Sequence, residues 1–315
     1  MRIVHGISNV PASARGAALA IGNFDGVHRG HQALIKATRD EAARLGAQAG
    51  AVVFEPHPRE YFQPDKPHFR LTQLPLKLRL LEQFGLDVAI VLAFDAGLAG
   101  LSADAFIARV LVDALAARQV VVGYDFRFGK GRGGDPEGLR RTGEALGFGV
   151  TVIGQVAEAG EVFSSSAIRA ELAQGDVEGA AQMLGWWWRV AGMVRSGAKR
   201  GTGLGFPTAN IALAPGTALA HGIYAVRVHA DGNQHTGAAY LGTRPTFDDG
   251  APVLEVFLFD FDGDLYGREI EVEFIDFISP DRRFDGAAAL QAQMERDCDR
   301  AREVLARAPA QPVAG

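Results

Sequence analysis

Residues 17–45 constrain the fold of this 315-residue chain more than any other stretch. An apolar run over residues 17–21 has the length of a buried parallel strand, and residues 32–45 carry apolar side chains at helical spacing. Between them lies the turn Gly22-Asn-Phe-Asp-Gly-Val-His-Arg-Gly-His31. The pattern predicts a strand, a tight turn and a helix in succession.

This turn has the chemistry of a phosphate site. Glycines let the backbone approach a phosphate closely, and the following helix offers unpaired N–H groups and the positive end of its dipole. His28 and His31 would then lie beside a pyrophosphate and neutralise the charge that develops as the bond between the α and β phosphates breaks. Two other interpretations stay open. In the first, the histidines do no more than cap the helix. In the second, they bind zinc, although no cysteine lies near and the usual helical ligand spacing is i,i+4.

The composition restricts the class of protein. The length suits two domains, and the net charge of −5 argues against a nucleic acid or an anionic membrane as partner. Cys298 is the single cysteine, so the fold needs no disulfide and no oxidising compartment. These features predict a cytoplasmic enzyme that acts on small molecules.

Strand and helix patterns alternate through the first half. Further strands are predicted at 49–54, 88–92, 120–123 and 150–153, and helices at 72–84 with Thr72 as the cap, at 103–116 and at 136–146. This alternation predicts an α/β fold with a doubly wound, mostly parallel sheet.

Three segments of the first half follow predicted strands or open a helix. Phe54-Glu-Pro-His-Pro58 predicts a rigid loop, because prolines at its end oppose both a strand and an ordinary helix start. Residues 124–135 are rich in glycine and basic residues, which is typical of a mobile anion-binding loop. Ser164-Ser-Ser-Ala-Ile-Arg169 could cap a helix or bind phosphate oxygens.

The second half has the pattern of a small antiparallel barrel. Strands are predicted at 188–194, 223–228, 236–241, 253–259 and 269–275, followed by a closing helix at about 287–306. The predicted domains are therefore 1–185 and 186–308, with a flexible tail at 309–315.

Two segments of the barrel half carry chemistry. A basic, glycine-rich loop with Gly203 and Gly205 leads into Pro207-Thr-Ala-Asn210, where the side-chain oxygens of Thr208 and Asn210 point the same way and could coordinate Mg²⁺. Glu255 lies in an otherwise apolar strand and shares a face with Phe257, which favours a desolvated general base over a solvent-facing carboxylate.

The ordered motifs resemble those of the prokaryotic bifunctional riboflavin kinase/FAD synthetase family, a branch of the HxGH nucleotidyltransferases. In the first half the resemblance rests on the histidine-bearing decapeptide, Phe-Glu-Pro-His-Pro, Gly-Tyr-Asp-Phe-Arg-Phe-Gly-Lys and Ser-Ser-Ala-Ile-Arg. In the second half it rests on Gly-Phe-Pro-Thr-Ala-Asn, Leu-Gly-Thr-Arg-Pro-Thr-Phe, the Glu255 strand and Asp-Gly-Asp-Leu-Tyr-Gly.

The resemblance implies a role for each matching residue. His28 and His31 would stabilise the transferring phosphate, and Glu255 would deprotonate the riboflavin 5′-hydroxyl. Thr208 and Asn210 would hold Mg²⁺. The residues implied to bind ATP are Gly22, Asn23, Phe24, Ser164, Ser165, Arg169, Gly203, Gly205, Thr208 and Asn210. Those implied to contact the flavin are Pro56, Pro58, Phe62, Tyr124, Asp125 and Phe128, of which the aromatic ones could equally be core residues.

The family's activities would be phosphorylation of riboflavin to FMN in the C-terminal half and adenylylation of FMN to FAD in the N-terminal half. ATP is the co-substrate of both steps, and riboflavin, FMN and FAD are the other small-molecule ligands. The chain departs from the family pattern at Thr202, at Phe257 and over residues 279–281, which bears on kinase rate and flavin affinity. Two rivals stay open: adenylyl transfer to another phosphorylated alcohol, such as pantetheine phosphate or glycerol phosphate, and a flavin-binding sensor without turnover.

Overall fold

The computed structural model describes residues 1–158, 161–195, 208–243 and 252–312. The chain forms two compact units, Met1–Ser165 and Ser166–Gly315. Residues 166–185, which lie in the predicted first domain, belong to the second unit. The domain boundary after residue 185 stays a prediction.

The first unit alternates strands and helices, as the sequence pattern predicts. Its strands are β1 Arg2–His5, β2 Ala18–Ile21, β3 Ala49–Glu55, β4 Val88–Ala93, β5 Gln119–Gly123, β6 Gly149–Ile153, and the short pair β7 Ala157–Glu158 and β8 Glu161–Val162. Its helices are α1 Arg29–Leu45, α2 Pro58–Phe62, α3 Leu74–Gln83, α4 Ala96–Ala99, α5 Ala103–Phe106, which continues as a π-helix over Ile107–Ala114, and α6 Pro136–Leu146.

Strands β1 to β6 form one parallel sheet in the order β1-β4-β3-β2-β5-β6. The order runs from β2 through β3 to β4 on one side and through β5 to β6 on the other, so β2 and β5 flank the topological switch point. Ligands of open α/β sheets bind at the carboxyl ends of the strands at such a point. The histidine turn (residues 22–31) follows β2 directly and therefore lies there.

The core of the first unit confirms the predicted apolar faces. Phe106, Val110, Leu111 and Leu115 form an apolar stripe in the segment predicted as a helix at 103–116, and all four are buried. The prediction that Thr72 caps a helix is wrong: α3 begins at Leu74 with Gln73 in the N-cap position, and Thr72 bonds to the histidine turn instead.

The second unit opens with helices and continues as a closed barrel. Helix α7 Ser165–Gln174 crosses into it and is followed by α8 Val177–Leu184. The barrel strands are β9 Arg189–Arg195, β10 Thr208–Ala212, β11 Gly222–Ala230, β12 Asn233–Thr243, β13 Pro252–Leu258 and β14 Glu269–Pro280, and α9 Ala287–Arg307 follows them. The strands close in the order β10-β13-β12-β11-β14-β9, with every neighbouring pair antiparallel. The predicted antiparallel barrel and closing helix are confirmed, and β10 is a strand beyond the five predicted.

Alternating residues of β13 contribute to the core of the barrel. On β13, Leu254, Val256 and Leu258 are buried, whereas Glu255 and Phe257 are half-buried on the opposite face. At the chain end, the Pro309 carbonyl accepts hydrogen bonds from Trp187 Nε1 at 3.3 Å and Arg227 Nη2 at 3.0 Å. None of the helices in the described part of the chain is long and apolar enough to cross a bilayer.

Candidate active sites

The histidine turn is held in a strained backbone conformation. Phe24, Gly26 and Val27 have φ angles of 48°, 86° and 40°. Left-handed angles are unfavourable for phenylalanine and valine and persist only where surrounding contacts hold them. His28 lies at the N-cap of α1 but makes no side-chain capping hydrogen bond. Helix capping therefore does not explain its imidazole.

The imidazoles of His28 and His31 stack against each other. Their ring centroids are 3.7 Å apart with an interplanar angle of 26°, and the buried Phe24 ring lies 5.1 Å from that of His31. Burial, followed by the like charges of His28 and Lys77, lowers the pKa of His31 well below its usual value. Within the described residues, nothing hydrogen-bonds the buried Nδ1 atom of His31. At neutral pH His31 is therefore a neutral imidazole.

The segment before α7 lies against the histidine turn. Ser165 Oγ donates to the Asp25 carbonyl at 2.8 Å, and the Arg29 guanidinium lies over the Phe163 ring at 5.6 Å from its centroid. Ser164 is half-buried beside them. Arg169 is half-buried on α7 and belongs to the second compact unit.

The loop after β3 differs from its prediction. Pro58 opens the short helix α2, and His57 Nδ1 accepts the Arg59 N–H at 3.1 Å as its cap. The rigid-loop prediction failed here because proline suits the first position of a helix, where its missing N–H has no partner to lose. Pro56 is exposed and Pro58 is half-buried.

An arginine ties the end of β3 to α2. Arg70 Nη1 donates to both carboxylate oxygens of Glu55, at 2.8 and 3.0 Å, and Arg70 Nε donates to Glu60 at 2.5 Å. The hydrogen bonds from Arg70 lower the pKa of Glu60. This network fixes the position of α2 at the carboxyl edge of the sheet.

His57 and His68 form a second pair of neighbouring imidazoles, and burial lowers the pKa of His57. The rings of His57 and His68 lie 4.5 Å apart. Burial and the neighbouring His68 lower the pKa of His57 to about 4. His57 is therefore neutral at neutral pH, which keeps its Nδ1 free to accept the N–H of Arg59.

Phe62 presents an aromatic surface to solvent at the same edge. It is 65% exposed, and its ring packs edge-on against Tyr61 at 5.1 Å and Phe94 at 5.7 Å. Phe94 follows β4 directly. The exposed face of Phe62 is thus supported from behind by two other rings, an arrangement suited to stacking on a planar ligand.

The other aromatic flavin candidates differ in exposure. Tyr124 follows β5 and is 49% exposed, and Asp125 beside it is exposed too. Phe128 is buried, stacked on Phe126 at 5.3 Å and tilted against Phe106 at 5.7 Å. Its ring belongs to the hydrophobic core, so a flavin could contact only the edge of that ring.

Polar residues lie opposite one another on the outside of the barrel. The register pairs Asn210 of β10 with Glu255 of β13, and Glu255 with Tyr240 of β12. Thr208, paired with Phe257, lies two residues from Asn210 on the same face. The structure thus brings together the three kinase-half residues that the sequence separates by up to 47 positions.

Thr208 also lines a cleft of about 110 Å³ in the barrel half. Val194 and the segment containing Asp264 and Tyr266 form other parts of its wall. Gly203, Gly205 and Thr202 lie outside the described residues.

The oxygen donors on this face fit a magnesium ion. Asn210 is buried, and its Nδ2 donates to the Thr208 carbonyl at 3.3 Å. A hydroxyl and an amide oxygen suit an ion that keeps several waters and takes its remaining ligands from substrate phosphates. The described residues contain no group of three or more His, Cys, Asp or Glu arranged for a metal.

Several residues near these sites were not found from the sequence. Asp25, Arg70, Lys77 and Phe94 were given no role from the sequence, and Thr72 was predicted only as a helix cap. Only Asp25 had a usable signal, because it lies inside the histidine turn.

The fold and the two sites define a class of protein. A parallel sheet with a histidine turn at its switch point is joined to a closed barrel that carries a threonine, an asparagine and a glutamate on its outer face. This combination is typical of a nucleotide-using transferase. A family model described as FAD synthetase matches residues 10–167, and one described as riboflavin kinase matches residues 184–305.

Full-length relatives agree with both matches. The chain is 40% identical over 307 residues to the bifunctional riboflavin kinase/FMN adenylyltransferase of Pseudomonas fluorescens, covering 97% of this chain and 98% of the relative. It is also 40% identical to the protein of the same name from Escherichia coli K12, with 96% and 97% covered. The chain belongs to the bifunctional riboflavin kinase/FMN adenylyltransferase family.

A solved structure shares the whole fold. A Streptococcus pneumoniae protein described as a macrolide-efflux protein aligns with a TM-score of 0.84 at 26% identity, over 98% of this chain and 100% of that one. The likeness extends through both units. The efflux description applies to that protein alone.

Proposed function

We propose that this chain makes FAD from riboflavin in two ATP-dependent steps, with each step in one unit. In the barrel, the 5′-hydroxyl oxygen of riboflavin attacks the γ-phosphorus of ATP, and ADP and FMN are the products. In the α/β unit, a phosphate oxygen of FMN attacks the α-phosphorus of a second ATP, and pyrophosphate leaves. Membership of the bifunctional family supports both activities.

The stacked pair of His28 and His31 carries the assignment of the adenylyl-transfer site. The attacking oxygen belongs to FMN, so the protein needs to supply position and charge stabilisation rather than a nucleophile. Negative charge accumulates on the leaving pyrophosphate, and imidazole N–H groups at the end of β2 can donate to it. A neighbouring phosphate would raise the pKa of His31 and favour the protonated form as this charge develops.

The remaining predicted ligands complete this proposed site. Phe62 and Tyr124 offer exposed rings for the isoalloxazine, next to Pro56, Pro58 and Asp125. Gly22, Asn23, Phe24, Ser164, Ser165 and Arg169 are proposed to bind ATP, and Phe24, whose ring is buried, would do so through its backbone.

In the kinase site, Glu255 is the proposed general base. Its carboxylate accepts the proton of the riboflavin 5′-hydroxyl as the phosphoryl group transfers. Asn210 and Thr208 would hold Mg²⁺, which when bound neutralises charge on the ATP phosphates. The pairing of Asn210 with Glu255 across two strands supports this assignment.

A pair of variants tests the division of labour. Glu255→Gln keeps the shape of the side chain but cannot accept a proton, so riboflavin phosphorylation should be lost while FAD formation from supplied FMN continues. The double variant His28→Ala/His31→Ala should show the reverse. Equal loss of both activities in either variant would contradict the assignment.

The single cysteine supports the cytoplasmic location that we propose, because the fold needs no oxidising compartment.

The alternative function from another class is a flavin-binding sensor. Such a protein would bind flavin without consuming ATP, and the same assays distinguish it from an enzyme.

A further inference from the structure

Thr72 links the histidine turn to the start of α3. Its hydroxyl accepts the Gly26 N–H at 3.0 Å, and its own N–H donates to Asp25 Oδ1 at 3.1 Å. Thr72, Asp25 and Gly26 are all buried, so water cannot replace these bonds. Two consecutive residues of the turn are thus bound by one threonine 46 to 47 positions further along the chain.

These bonds fall where the backbone is strained. Gly26 lies between His28 and the left-handed Phe24, and it is itself left-handed, as is Val27. A conformation of this kind persists only when neighbouring groups over-determine it. The hydroxyl of Thr72 accepts the Gly26 N–H, two residues before His28.

We infer that Thr72 is a positioning residue for adenylyl transfer, acting through the Gly26 N–H on the placement of the two histidines. The inference rests on the proposed function of the histidine turn. Thr72 itself need touch no substrate. Its part is to hold the turn in the one arrangement in which both imidazoles reach the leaving group.

The threonine is better suited to this than to helix capping. Gln73 occupies the N-cap position of α3, so the Thr72 hydroxyl is not needed there. Removing a buried hydroxyl that accepts a hydrogen bond from another segment's backbone costs free energy, because that N–H loses this acceptor.

The test compares Thr72→Val, which removes the hydroxyl and keeps the branched shape, with Thr72→Ser, which keeps the hydroxyl. Thr38→Val is the matched control, since Thr38 is an equally buried threonine whose hydroxyl donates to the Leu34 carbonyl within α1 at 2.8 Å. For each full-length variant, the kcat and KM values of FAD formation from FMN and of riboflavin phosphorylation are measured, together with thermal unfolding.

We expect Thr72→Val to lower kcat for FAD formation by about 10- to 100-fold, because small misplacements of catalytic groups have effects of this size. The KM values for FMN and ATP should change by no more than about twofold, since ground-state contacts are kept. Thr72→Ser should restore most of the rate. Thr38→Val should keep the full rate, and riboflavin phosphorylation should be unaffected throughout.

The inference is overturned if Thr72→Val keeps its kcat, if Thr38→Val loses as much, or if Thr72→Ser is as slow as the valine variant. If Thr72→Val does not fold, Thr72→Ala and Thr72→Ser give the same comparison, because they differ only in the hydroxyl. An unmodified protein that makes no FAD from FMN would refute the proposed function instead, so the two failures are distinguishable.

Discussion

His57 shows how burial sets the charge of a single side chain. In an unfolded chain its pKa is near 6.5, and in the folded protein burial lowers that pKa to about 4. Between these two values the unfolded chain binds more protons than the folded one. The free energy of unfolding therefore decreases as the pH falls from 6.5 to 4.

A variant isolates this contribution from the carboxylates that titrate in the same range. His57→Asn keeps an acceptor for the Arg59 N–H, since asparagine is a good N-cap residue, but it does not titrate. We expect its unfolding free energy, measured by urea denaturation at several pH values, to decrease less between pH 6.5 and 4 than that of the unchanged protein. Parallel curves for the two proteins would contradict the assignment.

Among single residues, the sequence predicts those whose chemistry is contained in a contiguous motif. His28, His31, Thr208 and Asn210 could be selected in this way because the spacing within one turn or strand determines which side they share. Thr72 could not, since its role depends on which helix start packs against the turn. That is a property of tertiary packing, and helical periodicity near residue 72 suggested a cap instead.

Glu255 lies on β13, which pairs with β12. Gly237 lies on β12, and a Cβ atom added there would be 2.4 Å from the Phe257 carbonyl oxygen. Both strands would have to shift to accept an alanine. Overpacking of this kind costs about 1–3 kcal/mol.

We therefore expect Gly237→Ala to lower the free energy of unfolding of the barrel by about this amount and to slow riboflavin phosphorylation, while FAD formation from FMN is kept. Unfolding in urea and the two enzyme assays measure this. Gly286→Ala is a suitable control, because nothing lies within 4 Å of a Cβ atom at that position. Equal effects of the two substitutions would show that the close approach of the strands is unimportant.

The sequence predicted the types of the helices and strands better than their first and last residues. Alternating apolar and helical patterns indicated the parallel sheet, and β-like runs with turn signals indicated the barrel. Strand β1 and the helix α2 were missed. A four-residue edge strand carries little periodic signal, and the prolines around His57 favoured a loop when considered without their helix.

For the whole molecule, the proposed catalytic residues of the two reactions lie in different compact units, with His28 and His31 in one and Glu255 in the other. A protein carrying Glu255→Gln should still adenylylate FMN, and one carrying His28→Ala/His31→Ala should still make FMN. We expect a mixture of the two variants to form FAD from riboflavin and ATP, because FMN released by one can bind to the other. Chromatography of the flavins would detect it.

Each variant alone is the control and should yield no FAD from riboflavin. If the mixture also yields none while both single activities are intact, FMN made in the barrel does not reach the α/β unit of another molecule. That result would contradict the proposal that the two sites act independently.

The proposed function requires one chain to perform both reactions in sequence. Its most direct test is to incubate the purified full-length protein with riboflavin, ATP and Mg²⁺ and to separate the flavins over time. We expect FMN to rise first and then to decline as FAD accumulates. Flavin that stays bound as riboflavin with no ATP consumed, or FMN that accumulates without any FAD, would contradict it.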